Sequence, residues 1–367
     1  MPQHSMHLLN ALLIVVALIP PFQVLAQRIG LVDIPHGRKV HEGAVPLTGG
    51  IVMFIAFALP MLSLDLPNGG LLLAGLCLLV IVGAIDDLGG LGPWTKLAAQ
   101  VLAAAIMVVP GSLLIGPGAL AGYPAPAASE AVAIAFTVFM IVGLTNAFNM
   151  IDGLDGLAGG AAAASLLGLA VAAGLSGNGD AELTLLVLLF AVVGFLAFNM
   201  RHRWRPRAAV FMGDAGSLLL GGAIAYFVVR LAAGEPEAAV PLPVLLWMVA
   251  LPAFDTTILM ARRLADGRSP VVGDRSHVHH LLLEAGATPQ SATAILVAVS
   301  GALCATGILG WRLGLPPLAM LLGLLVPFCA HAYFVCHGWK LMARAREARS
   351  RRGAPEPIGP PIEDKAA

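Results

Sequence analysis

Asn146, Asn149, Asp152 and Asp155 place two amides and two carboxylates at three-residue steps within residues 145–158. Residues 131–151 and 156–179 on either side contain no Asp, Glu, Lys or Arg. An ionisable group at the edge of a bilayer-length apolar run is costly, so its presence points to function by default. Three-residue steps keep neighbours on adjacent parts of a helix, yet four of them drift off any single face at 3.6 residues per turn. Gly153 and Gly156 let the chain leave the helix. The reading that follows puts Asn146 and Asn149 at the end of one span, with Asp152 and Asp155 on the turn into the next. The plainer alternative is a polar helix end with an Asp cap.

Four further groups have chemistry to offer. Asp86 and Asp87 are adjacent carboxylates whose mutual repulsion asks for a proton or a cation. Magnesium with a phosphate ligand is the natural cation for oxygen-rich sites, and Lys96 follows closely; a solvated acidic loop is the plainer reading. Phe211–Met212–Gly213–Asp214–Ala215–Gly216–Ser217 opens an apolar run, where free N–H groups of a helix start attract anions and Asp214 can cap the helix or hold a metal. Arg275 precedes His277, His279 and His280. These imidazoles suit donation to phosphate oxygens better than zinc, because the acids elsewhere favour a hard cation. Arg38, Lys39 and His41 make the first loop basic, able to supply cations to an anionic ligand.

The elements that must carry these groups are apolar. Of 367 residues, 58% are hydrophobic and 11% charged, and the mean hydropathy is +0.88, far outside the soluble range. The expected fold is an all-α, polytopic transmembrane bundle. Runs long enough to span fall at 8–26, 48–64, 70–85, 98–115, 131–149, 157–176, 183–199, 213–232, 240–260, 291–311 and 315–337, about eleven spans. The first is expected to be retained rather than cleaved as a signal, since basic residues follow it and none precede it. With the N-terminus periplasmic and the spans alternating, only Arg230 and Arg312 of the 21 Lys and Arg fall outside, a strong positive-inside bias. The C-terminus is then cytoplasmic. Residues 1–339 form the membrane-embedded domain and 340–367 a basic, disordered tail. A net charge of zero gives no reason for a nucleic-acid partner. Cys77, Cys304, Cys329 and Cys336 show no C-x-x-C spacing and read as buried small hydrophobes.

Taken together, the Asp-Asp pair, the N-x-x-N-x-x-D-G-x-D-G-L-A run, F-x-G-D-x-G-S and the histidine motif, in this order, resemble the polyprenyl-phosphate N-acetylhexosamine-1-phosphate transferase family. The resemblance extends from the Arg38–Lys39–x–His41 loop almost to the end of the chain. The split His277–Val278–His279–His280 is similar to the GlcNAc-1-phosphate transferases of that family. The residues after Asp87 are Leu88, Gly89 and Gly90, where the phospho-MurNAc-pentapeptide translocases carry a Lys. The resemblance implies a transfer from a UDP-N-acetylhexosamine, here UDP-GlcNAc, to undecaprenyl phosphate in the inner membrane, with UMP released at the cytoplasmic face. It implies magnesium, with manganese as a substitute, and the first lipid-linked step of a cell-envelope polysaccharide such as O antigen, common antigen or teichoic acid. Asp152 and Asp214 are expected at the metal. Asp86, Asp87, Asp152, Asp155, His277, His279 and His280 form the catalytic set, and Lys39, His41, Lys96, Asn146, Asn149 and Arg275 the substrate-binding set. A homodimer and another UDP-sugar, including UDP-MurNAc-pentapeptide, stay open. A secondary transporter would hold its acids near the midplane, whereas these fall on one membrane face. A membrane prenyltransferase would need a second Asp-rich motif, and 211–217 holds one acid.

Overall fold

The computed structural model describes residues 2–34, 43–64, 66–122, 129–203, 205–234, 238–269 and 277–350. The chain begins with α1 (Pro2–Ile29), followed by a two-residue-per-strand hairpin, β1 (Val32–Asp33) and β2 (Val45–Pro46), in antiparallel register Val32 to Pro46. Next come α2 (Gly49–Met61), α3 (Gly69–Gly89), α4 (Pro93–Val108), a 3₁₀ turn (Pro117–Ala121), α5 (Glu130–Ile151), α6 (Leu157–Leu175) and α7 (Gly179–Asn199). The second half holds α8 (Gly213–Ala232), α9 (Leu242–Met248), α10 (Ala250–Ala265), α11 (Val278–Glu284), α12 (Pro289–Arg312), α13 (Pro317–Gly323) and α14 (Leu325–Ser350). Local chemistry sets several starts. Ser129, Asn178 and Thr288 accept the N–H of Val132, Ala181 and Ser291, which fills donors that a helix start leaves open. Proline occupies the first turn of α4, α12 and α13, where its missing N–H is no loss.

The protein is a helical polytopic membrane protein. Among the described residues, eight helices are long and apolar enough to cross a bilayer. Each of the eleven expected segments falls on helix, the last on α13 and α14 in succession, and three others differ in form. Segments 48–64 and 98–115 are the shorter α2 and α4, of 13 and 16 residues. Segment 240–260 is broken into α9 and α10, which meet at 85°. The last helix continues to Ser350, into the stretch expected as a tail; residues 351–367 lie outside the described residues.

Helix α8 is the axis of the bundle, buried along most of its length. Small residues let its neighbours approach backbone to backbone, the usual way to pack helices where lipid gives no hydrophobic drive. A Cβ at Gly50 of α2 would lie 2.1 Å from the Gly216 nitrogen, and one at Gly83 of α3 would lie 2.4 Å from the Ala215 nitrogen. Gly221 meets the Thr145 backbone of α5 in the same way, at 2.7 Å. These approaches gather the ends of α2, α3, α5 and α8 at one end of the bundle. The polar groups sit there.

Candidate functional site

Asp86 and Asp87 occupy the last turn of α3, and Asp214 the first turn of α8. Asp87 accepts the N–H of Asp214 at 2.8 Å and of Ala215 at 3.2 Å. The open donors at the start of α8, read from sequence as an anion site, are thus already filled by a carboxylate of α3. Gly213 makes this fit possible: its φ is +68°, and a Cβ there would meet Asp87 Oδ2 at 2.3 Å. Asp86 takes a different partner, the Lys96 ammonium of α4, at 2.7 Å. Lys96 also donates to Asp214, so one cation serves two carboxylates from helices far apart in sequence. Asn149, at the end of α5, donates to Asp214 Oδ1 at 3.0 Å and to Ser217 at 2.8 Å. Four helices are thereby knotted together by side chains alone.

One turn before Asn149, Asn146 pairs with Gln100 of α4; its amide donates to Gln100 Oε1 at 2.6 Å. Asn146 therefore locks α5 to the helix that carries Lys96. Gln100 is buried, and sequence reasoning passed over it; its only signal was an amide in an apolar run.

Asp152 stands apart from this knot. It follows the last residue of α5 and has no hydrogen-bond partner among the described residues. Desolvation by the surrounding protein, then the carboxylates of Asp214, Asp87 and Asp155, push its carboxyl up to about 7. The side chain is nonetheless exposed, so water weakens the first of these causes and the like charges are what persists. Unneutralised negative charge has collected at this turn.

Asp155, grouped with Asp152 in sequence, is directed elsewhere. Arg201 Nε donates to it at 2.6 Å and the Ala208 N–H at 3.2 Å. Gly156, with φ +79°, turns the chain into α6, and its N–H is held by Asn199 at 2.7 Å. Asp155 thus fastens the α5–α6 turn to the segment between α7 and α8. It borders a cavity of about 1120 Å³ with Gln23, Gln27, Arg201 and Arg207.

The histidines reach the same turn at Gly153, the residue after Asp152. His279 lies against Gly153, where a Cβ would be 2.2 Å from its Nε2. Its ring stacks on His277 at 5.5 Å and is tilted against His280 at 4.3 Å. His279 is 1% exposed, and neither ring nitrogen has a hydrogen-bond partner among the described residues. Burial, then the neighbouring His280 and His277, push its pKa down to about 3.

Lys39, His41 and Arg275 lie outside the described residues. The base of the hairpin that carries the first two is nevertheless fixed at the site. Phe211 donates its N–H to Pro46 at 2.9 Å, and Gly49 and Gly50 return theirs to Phe211 and Met212 at 3.0 Å. No group of three or more His, Cys, Asp or Glu forms a ready metal cage among the described residues. The arrangement offers a shared ammonium, an unpaired and crowded carboxylate, and imidazoles with open nitrogens, all at helix ends. Such a set can receive a cation together with a polyanion.

Comparisons with known proteins agree with this chemistry. Residues 70–232 match the family described as glycosyl transferase family 4. The chain is 30% identical to the undecaprenyl-phosphate alpha-N-acetylglucosaminyl 1-phosphate transferase of Escherichia coli K12, over 90% of this chain and 92% of that one. It is 33% identical to the proteins of the same description from Yersinia pestis, over 86% and 87% of the two chains, and from Haemophilus influenzae, over 89% and 92%.

Proposed function

This chain belongs to the polyprenyl-phosphate N-acetylhexosamine-1-phosphate transferase family, within glycosyl transferase family 4, and from that premise we propose that it transfers GlcNAc-1-phosphate from UDP-GlcNAc to undecaprenyl phosphate. The observation that carries this reading is the likeness along nearly the whole chain to transferases described by that lipid and that sugar. A phosphate oxygen of the lipid forms a bond to the phosphorus that bears the sugar. The bond from that phosphorus to the oxygen bridging to uridine monophosphate breaks, and UMP leaves.

Both reactants are anions. Two unit charges 4 Å apart repel by roughly 4 kcal/mol at an effective dielectric of about 20. Lys96 is placed to offset part of that charge, and the imidazoles of the histidine stack to donate to phosphate oxygens. Asp86 positions Lys96, and Asp87 holds the start of α8 so that Asp214 is presented from a rigid turn. Magnesium fits the donor set. The unpaired Asp152, raised by its acidic neighbours, asks for a cation, and magnesium needs only one or two carboxylates when phosphates and waters complete its shell. Asp152 and Asp214 would hold it, and manganese could replace it. Bound there, it would neutralise the diphosphate and make the phosphorus more electrophilic.

The basic bias of alternate loops supports a periplasmic N-terminus and a site on the cytoplasmic face of the inner membrane, where a soluble nucleotide sugar meets a lipid phosphate. Cysteines introduced at 178 and 285 of a cysteine-free protein should label from opposite sides; labelling from one side overturns that orientation. The product would begin a lipid-linked envelope polysaccharide. The purified protein should release UMP from UDP-GlcNAc with undecaprenyl phosphate and magnesium, with kcat/KM higher than for UDP-GalNAc or UDP-MurNAc-pentapeptide. If the pentapeptide donor is best, the sugar assignment fails.

A further inference from the structure

One buried ionisable centre lies outside everything described so far. Asp255 sits in α10, beyond the 85° bend, and is 1% exposed. A lone carboxylate in such a setting is costly unless its lone pairs are filled. Both oxygens are filled. Oδ2 meets His277 Nδ1 at 2.7 Å, while Oδ1 receives the Val278 N–H at 3.1 Å and faces His331 Nε2 of α14, also at 3.1 Å.

An ionised carboxylate can only accept. Each imidazole must therefore turn an N–H toward Asp255: His277 from Nδ1, His331 from Nε2. For His277 this leaves Nε2 as the nitrogen open to any other partner. Its ring is stacked at 17° on His279, which lies against Gly153 beside Asp152. The orientation that Asp255 imposes is thus passed through the stack to the acidic turn. His331 adds a second anchor, because it brings the last span into the same contact.

We propose that Asp255 is a positioning residue for the histidine cluster, holding His277 as the Nδ1–H form and, with His331, fastening the histidine segment to α14. The kinetic part of this inference rests on the reading that the histidines serve phosphoryl transfer; the tautomer itself does not.

Asp255→Asn keeps the volume but places an amide donor opposite groups that must donate. Nitrogen-15 NMR of the full-length, histidine-labelled protein in detergent, with His277 assigned by loss of its signal in His277→Asn, should show hydrogen on Nδ1. Hydrogen on Nε2 alone in the wild-type protein overturns the proposal, and that measurement needs no variant to fold. In Asp255→Asn the hydrogen should move to Nε2. The same change should lower kcat by about 10- to 100-fold, the usual cost of losing the partner that orients a working histidine, with KM for the donor within about threefold. The double variant Asp255→Asn with His277→Asn should lose no more than His277→Asn alone, because residues acting through one another are not additive. Additive losses would mean that Asp255 acts only on stability, which overturns the proposal. His331→Gln tests the second anchor and should reduce kcat less than Asp255→Asn does; an unchanged kcat removes α14 from the proposal. If the wild-type protein transfers no sugar phosphate, the functional reading fails while the tautomer result still decides the role of Asp255.

Discussion

The acid knot at the ends of α3, α4, α5 and α8 differs in kind from the turn between α5 and α6 with its histidine stack. In the knot each polar group is answered: Asp87 by the start of α8, Asp86 and Asp214 by Lys96, Asn149 by Asp214 and Ser217. At the turn, Asp152 and His279 have no hydrogen-bond partner among the described residues. The buried imidazole of His279, left unpaired, is costly, and the exposed carboxylate of Asp152 faces other carboxylates, so both favour a ligand that completes them. The groups of the knot are paired with one another by folding alone. The turn waits for something to bind.

The largest test of that difference sets Asp152 against Asp155. Asp152→Asn should lower kcat by roughly 10²- to 10³-fold, the scale of removing one electrostatic catalytic group, with thermal unfolding unchanged. Asp155→Asn should leave kcat within a few-fold and reduce stability by about 1.5–3 kcal/mol, the scale of a hydrogen bond to a charged group. Equal losses of kcat would erase the distinction.

A smaller effect is expected inside the knot. Lys96→Gln leaves Asp86 and Asp214 without their shared cation. Breaking a buried pair costs about 3–5 kcal/mol; partial exposure reduces this to about 2–3 kcal/mol. Thermal unfolding in detergent should show the loss, and an unchanged midpoint would mean that the knot does not depend on its ammonium.

The smallest effect concerns His279. Its pKa falls from an ordinary 6.5 to about 3 on folding, so between those values the unfolded chain binds more protons than the native one. Stability should therefore decline as pH drops through about 6.5, by about 1.0 kcal/mol between pH 6.5 and 5.5. His279→Asn should flatten this part of the stability–pH profile. If the profiles of variant and wild type superimpose, His279 is not the neutral buried group described.

Much of this was legible in the chain. The apolar runs located every long helix, and the cost of charge at their edges singled out Asp86, Asp87, Asp152 and Asp214. Spacing could not tell that Asp155 is taken up by Arg201 and the Ala208 N–H, because that depends on the left-handed Gly156 and on an arginine 46 residues later in the chain. Asp255 and His331 were missed although the same rule of costly charge in an apolar run applied to both. Each looked solitary, since the contact that pairs them joins separate spans. The break between α9 and α10 had no signal beyond prolines that other helices here tolerate.

The central position of α8 also has a consequence for biosynthesis. Helices α3, α4 and α5, which supply the rest of the acid knot, all precede it in the chain. Until residues 213–217 leave the ribosome, Asp87 has no helix start to hold, and Asp86 and Lys96 lack Asp214. The earlier helices must therefore enter the bilayer with their acidic ends unassembled and a cleft kept open for a helix that lipid hardly touches. Any truncation before α8 removes the axis that these helices close around, as well as one carboxylate of the site. The acid knot is thus completed only once α8 docks, and the histidine segment and the last span follow later still.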